Sequence, residues 1–150
     1  MQESGKTIDE VTDDLNKQSG FLGIAGYSDC RDVEHLASEG NENAILALNM
    51  YANRIAKYIA DYYLELEGKL DAIVFTAGVL ENGSAMRKMV MDRLKVLGVT
   101  LDEELNDKIA SFKELHEGII SDGNSKITVM VLPTNEEIMI VKDTFNIVIG

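Results

Sequence analysis

The stretch from Asp71 to Leu97, DAIVFTAGVLENGSAMRKMVMDRLKVL, constrains the fold of this chain more than any other. Ala72, Ile73, Val74 and Phe75 form a short, almost continuous apolar run, the pattern of a strand buried on both faces in a parallel sheet. Thr76, Ala77 and Gly78 allow a tight turn at the strand's carboxyl end. Asn82, Gly83 and Ser84 carry cap chemistry, and from Ala85 apolar positions fall at helical spacing until Gly98 closes the helix. Ligands of open α/β sheets sit beyond the carboxyl ends of the strands, where small residues allow close approach to the backbone. An ordinary βα unit with a glycine turn has the same pattern, so this signal alone assigns no ligand.

The rest of the chain extends the alternation of helix and strand. Met1 to Gln18 is polar, with a weak helical pattern through Ile8, Val11 and Leu15, and reads as a short helix or an arm. SGFLGIAGYSDCRD, from Ser19 to Asp32, contains three glycines and few charges. It reads as a bent, partly buried loop that presents Asp29, Cys30 and Arg31. From Asn41 to Glu67, Ile45, Leu48, Ala52, Ile55, Ile59, Tyr62 and Leu66 recur every three or four residues. That spacing predicts one amphipathic helix of about seven turns, ended by Gly68. DEELNDK reads as a helical turn or two, Ile119 and Ile120 as a short strand, and Ile127 to Leu132 as a second buried strand stopped by Pro133. Thr134 and Glu137 have capping-box spacing at the start of a last helix. Ile138, Ile140, Val141, Phe145 and Val148 form its apolar side. The class is α/β, a mainly parallel sheet flanked by helices. Two or three strands are few for so many helices, since sheets usually have about five. The sequence therefore reads as part of a larger α/β unit.

A formal net charge of −12 argues against nucleic acid and against an anionic membrane surface as partners, because both need clustered cations. The single cysteine, Cys30, cannot form an internal disulfide, which suits a reducing, cytoplasmic setting. His35 and His116 lie far apart with no soft ligand nearby, so zinc is not expected. No apolar run is long enough to span a bilayer, and the polar, acidic start does not read as a signal peptide.

Phosphate loops of the Walker type, nucleophile elbows and usable Cys–His pairs are absent from the sequence. Glu136, at the start of the last helix, admits two readings. A carboxylate there gains from the helix dipole in any protein. It is also placed to serve as a magnesium ligand, since such sites use one or two carboxylates plus substrate phosphates. Asp29 and Arg31 suit a surface ion pair, and Cys30 suits packing rather than nucleophilic chemistry.

Three stretches carry a resemblance to a known family. SGFLGIAGYSDCRDVE resembles the SG-LG-SG-SSD-RD loop of acetate kinases, DAIVFTAGVLEN their DAIVFTAGIGEN signature, and VMVLPTNEEIMIVKDT their closing strand, PTNEE and helix. The match runs over nearly all of the chain from about Val11. It implies a partial actin-like, RNase H-like ATPase domain in residues 19–150, preceded by an arm or short helix in residues 1–18. It further implies ATP and magnesium as cofactors and phosphoryl transfer to acetate or a similar short-chain carboxylate. Carried over by position, Asp29, Cys30 and Arg31 would border the nucleotide together with Gly78, Val79, Leu80, Glu81 and Asn82. Glu136 would be the metal ligand. Leu80 stands where the family has a second glycine and would narrow the nucleotide cleft, and Cys30 replaces a larger apolar residue. Acetate kinases are far longer, so the resemblance implies that this chain corresponds to their C-terminal part. The acetate pocket and the groups that stabilise the transferring phosphoryl would lie outside it, leaving no catalytic residue here. A homodimer is expected, since acetate kinases pair through their C-terminal domains. The alternative is a non-catalytic module that retains dimerisation or nucleotide binding.

Overall fold

The computed structural model describes residues 5–110 and 113–149. They form two compact units, divided between Tyr58 and Ile59 within one long helix.

The first unit is helical. Helix α1 (Ile8–Lys17) starts at a capping box, Thr7 receiving the Glu10 amide while the Glu10 carboxylate accepts from the Thr7 amide. The glycine-rich stretch is not the bent loop its composition suggests, because α2 (Gly20–Ala25) forms there. Gly20 takes up a positive φ at its start and Gly26 at its end, so the glycines bracket the helix instead of breaking it. Asp29 caps α3 (Cys30–Ser38), its carboxylate accepting from the Arg31 amide. Helix α4 (Glu42–Glu65) runs 24 residues and stops where Glu67 and Gly68 adopt positive φ. Its buried stripe is Ala44, Ala47, Leu48, Ala52 and Ala56, whereas Ile45, Tyr62 and Leu66 are exposed. The expected apolar face is thus rotated, the small alanines being the residues that admit close neighbours.

The second unit holds the sheet. Strand β1 (Ala72–Phe75) leads into α5 (Ala77–Asn82) and α6 (Ser84–Leu94), and a 3₁₀ turn ends at Gly98 with φ 80°. A Cβ on Gly98 would also lie 2.6 Å from the Lys126 side chain, so only glycine suits this cap. Helix α7 (Glu103–Lys108) is capped by Asp102. Strands β2 (Gly118–Ile119) and β3 (Thr128–Val131) follow, then α8 (Glu136–Ile149). The sheet order is β1-β3-β2, with β1 and β3 parallel over four residue pairs and β2 antiparallel to β3.

Ile73 and Phe75 pair with Val129 and Val131, and all four are buried. Val74, however, is 46% exposed and pairs with the half-buried Met130. The expectation of burial on both faces holds for one face only, because no described layer covers the other. The outer edge of β1 is also unpaired among the described residues. The last helix is capped by Asn135, whose side chain accepts from the Ile138 amide, and not by Thr134. No described residue of α8 is buried.

Candidate functional site

The sequence signature after β1 folds as a sharp reversal into a short helix. Thr76 is extended and Ala77 sits at φ 59°, a left-handed conformation that costs a non-glycine residue about 1–2 kcal/mol. The strain therefore rests on Ala77 and not on Gly78, which adopts no positive φ. A Cβ at Gly78 would meet nothing within 4 Å. Neither the backbone nor the packing of this unit requires glycine there, and the space in front of it is open.

Val79 and Leu80 are half-buried, and the Asn82 side chain donates to the Gly78 carbonyl at 3.1 Å. Glu81 is only 8% exposed, and its carboxylate accepts from the Thr134 amide at 3.4 Å. Two of the three sequence signatures are thereby joined, the α5 turn to the PTNEE segment. Glu136 stands two residues beyond Thr134, in the first turn of α8, with an exposed carboxylate.

Sequence reasoning missed the residue that holds this arrangement. Arg87 is fully buried and uses all five guanidinium N–H groups. Nε donates to Asn106 Oδ1 at 2.7 Å, and one terminal nitrogen donates to the carbonyls of Leu80 and Glu81, both at 2.8 Å. The other donates to the carbonyls of Asn106 at 2.7 Å and Ile109 at 2.8 Å. The Asn106 amide in turn donates to the Ser84 carbonyl at 3.0 Å. Arg87 thus ties the C-terminal carbonyls of α5 to α7. Burial pushes its pKa down to about 10, so it stays cationic at neutral pH. A signal was present in the sequence: Arg87 falls on the stripe with Val90, Met91 and Leu94, where a charge must find internal partners.

Asp29, Cys30 and Arg31 lie in the first unit, at the start of α3. Arg31 grips its neighbour twice, Nε to Asp29 Oδ1 at 3.0 Å and a terminal nitrogen to Oδ2 at 2.6 Å. These hydrogen bonds, with that from the Arg31 amide, hold the Asp29 carboxyl at about 2. Its contribution to stability is present above the unfolded-state value of about 3.9 and is lost as pH falls through about 2. A carboxyl titration by NMR should give a midpoint near 2 that rises in Arg31→Ala. A midpoint near 3.8 in both proteins would rule the pair out. Burial raises the Cys30 thiol to about 11, with Glu34 and Asp29 adding to it, so the thiolate is suppressed as the sequence implied.

The fold is that of the actin-like ATPases, in their kinase branch. Two solved structures superpose on nearly the whole chain, each with a TM-score of 0.85. One is an acetate kinase from Porphyromonas gingivalis, 38% identical over 98% of this chain and 36% of its own. The other is a propionate kinase from Francisella tularensis, 39% identical over 95% of this chain and 35% of its own. Among curated relatives, the acetate kinase of Carboxydothermus hydrogenoformans is 51% identical over 150 residues, and that of Macrococcus caseolyticus 49% identical over 145. The profile of the acetokinase family matches residues 1–142, and the chain belongs to that family. It spans 36% and 35% of the length of those two curated relatives. Among the described residues, no helix is long and apolar enough to cross a membrane.

Proposed function

We propose that this chain is the C-terminal, nucleotide-binding part of an acetate kinase, with residues 19–150 as the nucleotide-binding region. In the whole enzyme the γ-phosphoryl group of ATP would pass to acetate or a similar short-chain carboxylate, giving an acyl phosphate. The observation that carries the reading is the open space before Gly78, at the carboxyl end of β1, within the family's own signature. Gly78 to Asn82 would form one wall of the adenosine site. Arg87 acts here as a positioning residue, through the carbonyls of Leu80 and Glu81.

Glu136 fits a magnesium ligand. Its exposed carboxylate is a hard oxygen donor with no hydrogen bond or ion pair to another side chain among the described residues. No cluster of three or more metal-binding side chains exists among them. An ion held here would therefore rely on water and the ATP phosphates for its remaining ligands. When bound, it would neutralise charge on those phosphates. The uncovered α8 favours a second reading, a non-catalytic module that keeps self-association.

The purified chain alone should make no acetyl phosphate from acetate and ATP, because the groups that neutralise the transition state are not supplied by it. Formation above background would overturn that expectation. ATP with magnesium should bind weakly, in the high micromolar range or worse. Gly78→Ala tests the site itself. Alanine should raise helix stability by about 0.5 kcal/mol and lower ATP affinity at least about tenfold. Calorimetry showing unchanged affinity in a well-folded Gly78→Ala would mean that the open space does not belong to the nucleotide.

A further inference from the structure

The first unit contains a cavity of about 580 Å³ that none of the residues assigned above lines. Phe21 and Ile24 of α2 line it together with Met50 and Tyr51 of α4. The Phe21 and Tyr51 rings meet with centroids 5.1 Å apart and planes tilted by 58°, an aromatic wall of favourable geometry. Met50, Tyr51, Arg54 and Lys57 follow one another at helical spacing and project from one stripe of α4. Arg54 and Lys57 bring two cations to the rim of this apolar floor. Arg54 also lies over the Tyr58 ring, 5.8 Å from its centroid.

Many cations of this acidic chain are already engaged by carboxylates. The chain carries 26 acidic residues against 14 Lys and Arg. Lys6, Lys17, Arg31, Lys69, Lys88, Lys95 and Lys108 are each paired with a carboxylate. Arg54 and Lys57 have no carboxylate partner among the described residues. Two unpaired cations one turn apart, beside an aromatic floor, complement a ligand with a flat apolar body and an anionic group.

We infer that this cavity binds an aromatic organic anion. The ring system packs on Phe21 and Tyr51, and the anionic group is received by Arg54 and Lys57. The net negative field of the chain opposes anion capture at long range, so affinity depends on these two local cations. The site shares none of the individual residues named for the nucleotide.

Anilinonaphthalene sulfonate is a suitable probe, having an aromatic body, one negative charge and fluorescence that rises on burial. One saturable site is expected in fluorescence titration of the whole chain. The double variant Arg54→Glu and Lys57→Glu alters only exposed positions and should keep the fold by circular dichroism. It should weaken the probe at least about tenfold, as should Tyr51→Ala. Helix α8 also offers apolar surface to the dye, so Val141→Glu with Phe145→Glu serves as the second arm. Binding that survives the α4 changes and disappears with the α8 changes overturns the proposal. Stoichiometric displacement of the dye by ATP also overturns it, because the cavity would then be part of the nucleotide site.

Discussion

Arg87→Met should lower the unfolding free energy by about 4 kcal/mol or more, a loss few single substitutions reach. Methionine keeps much of the volume but donates nothing. The carbonyls of Leu80, Glu81, Asn106 and Ile109, together with Asn106 Oδ1, would lose a charged donor inside the protein. A buried acceptor left unsatisfied costs about 1–3 kcal/mol before relaxation. Partial solvent entry recovers some of that, so the expected total stays below the sum. Arg87→Lys should rescue little, because an ammonium has three donors at one point and cannot reach carbonyls on both α5 and α7. Urea unfolding of the three proteins measures this directly. A midpoint shift worth less than about 1 kcal/mol for Arg87→Met would show that the hydrogen bonds contribute little. The function should respond before the fold fails. At low denaturant, loss of the α5 tether should weaken ATP binding in Arg87→Lys even where the chain remains folded.

The contrast between Arg87 and β1 shows which parts of the site were legible from sequence. The limits of β1 could be read from four consecutive apolar residues, and the end of the 3₁₀ turn that follows α6 from Gly98, because both signals are local. The side of β1 that stays open could not be read, since Val74 is as apolar as Ile73 and only the surrounding layers decide which is covered. Arg87 escaped notice for the opposite reason. Its partners are carbonyls six to twenty-two residues away, and backbone acceptors leave no mark in a sequence. Gly78 attracted attention as the turn residue, yet Ala77 carries the positive φ, so what its lack of a side chain leaves is space in front of the loop. In the Ser19 to Asp32 stretch, composition pointed to a loop. Placement of the glycines at both ends of α2 made a helix possible instead.

Helix α8 should make the chain associate. Among its described residues, Ile138, Met139, Ile140, Val141, Phe145, Ile147, Val148 and Ile149 are all about half exposed or more, Phe145 at 58%. A 14-residue helix with no buried side chain is marginal in water on its own. The unpaired edge of β1 and the open face at Val74 add further surface that favours contact with another copy. Light scattering at micromolar concentration should therefore report a dimer or larger species. High salt should leave it intact, because screening weakens exposed ion pairs and spares apolar burial. Val141→Glu with Phe145→Glu places two charges one turn apart on α8. Each side chain is worth about 1.5–3 kcal/mol when buried, so the pair should weaken association by two orders of magnitude or more. Both positions are exposed in the single chain, so unfolding by urea should change little. Assembly that persists in the double variant would move the contact away from α8, to the β1 edge or the α4 surface. A wild-type chain that scatters as a monomer of 16.6 kDa would show that α8 finds cover within its own chain in solution.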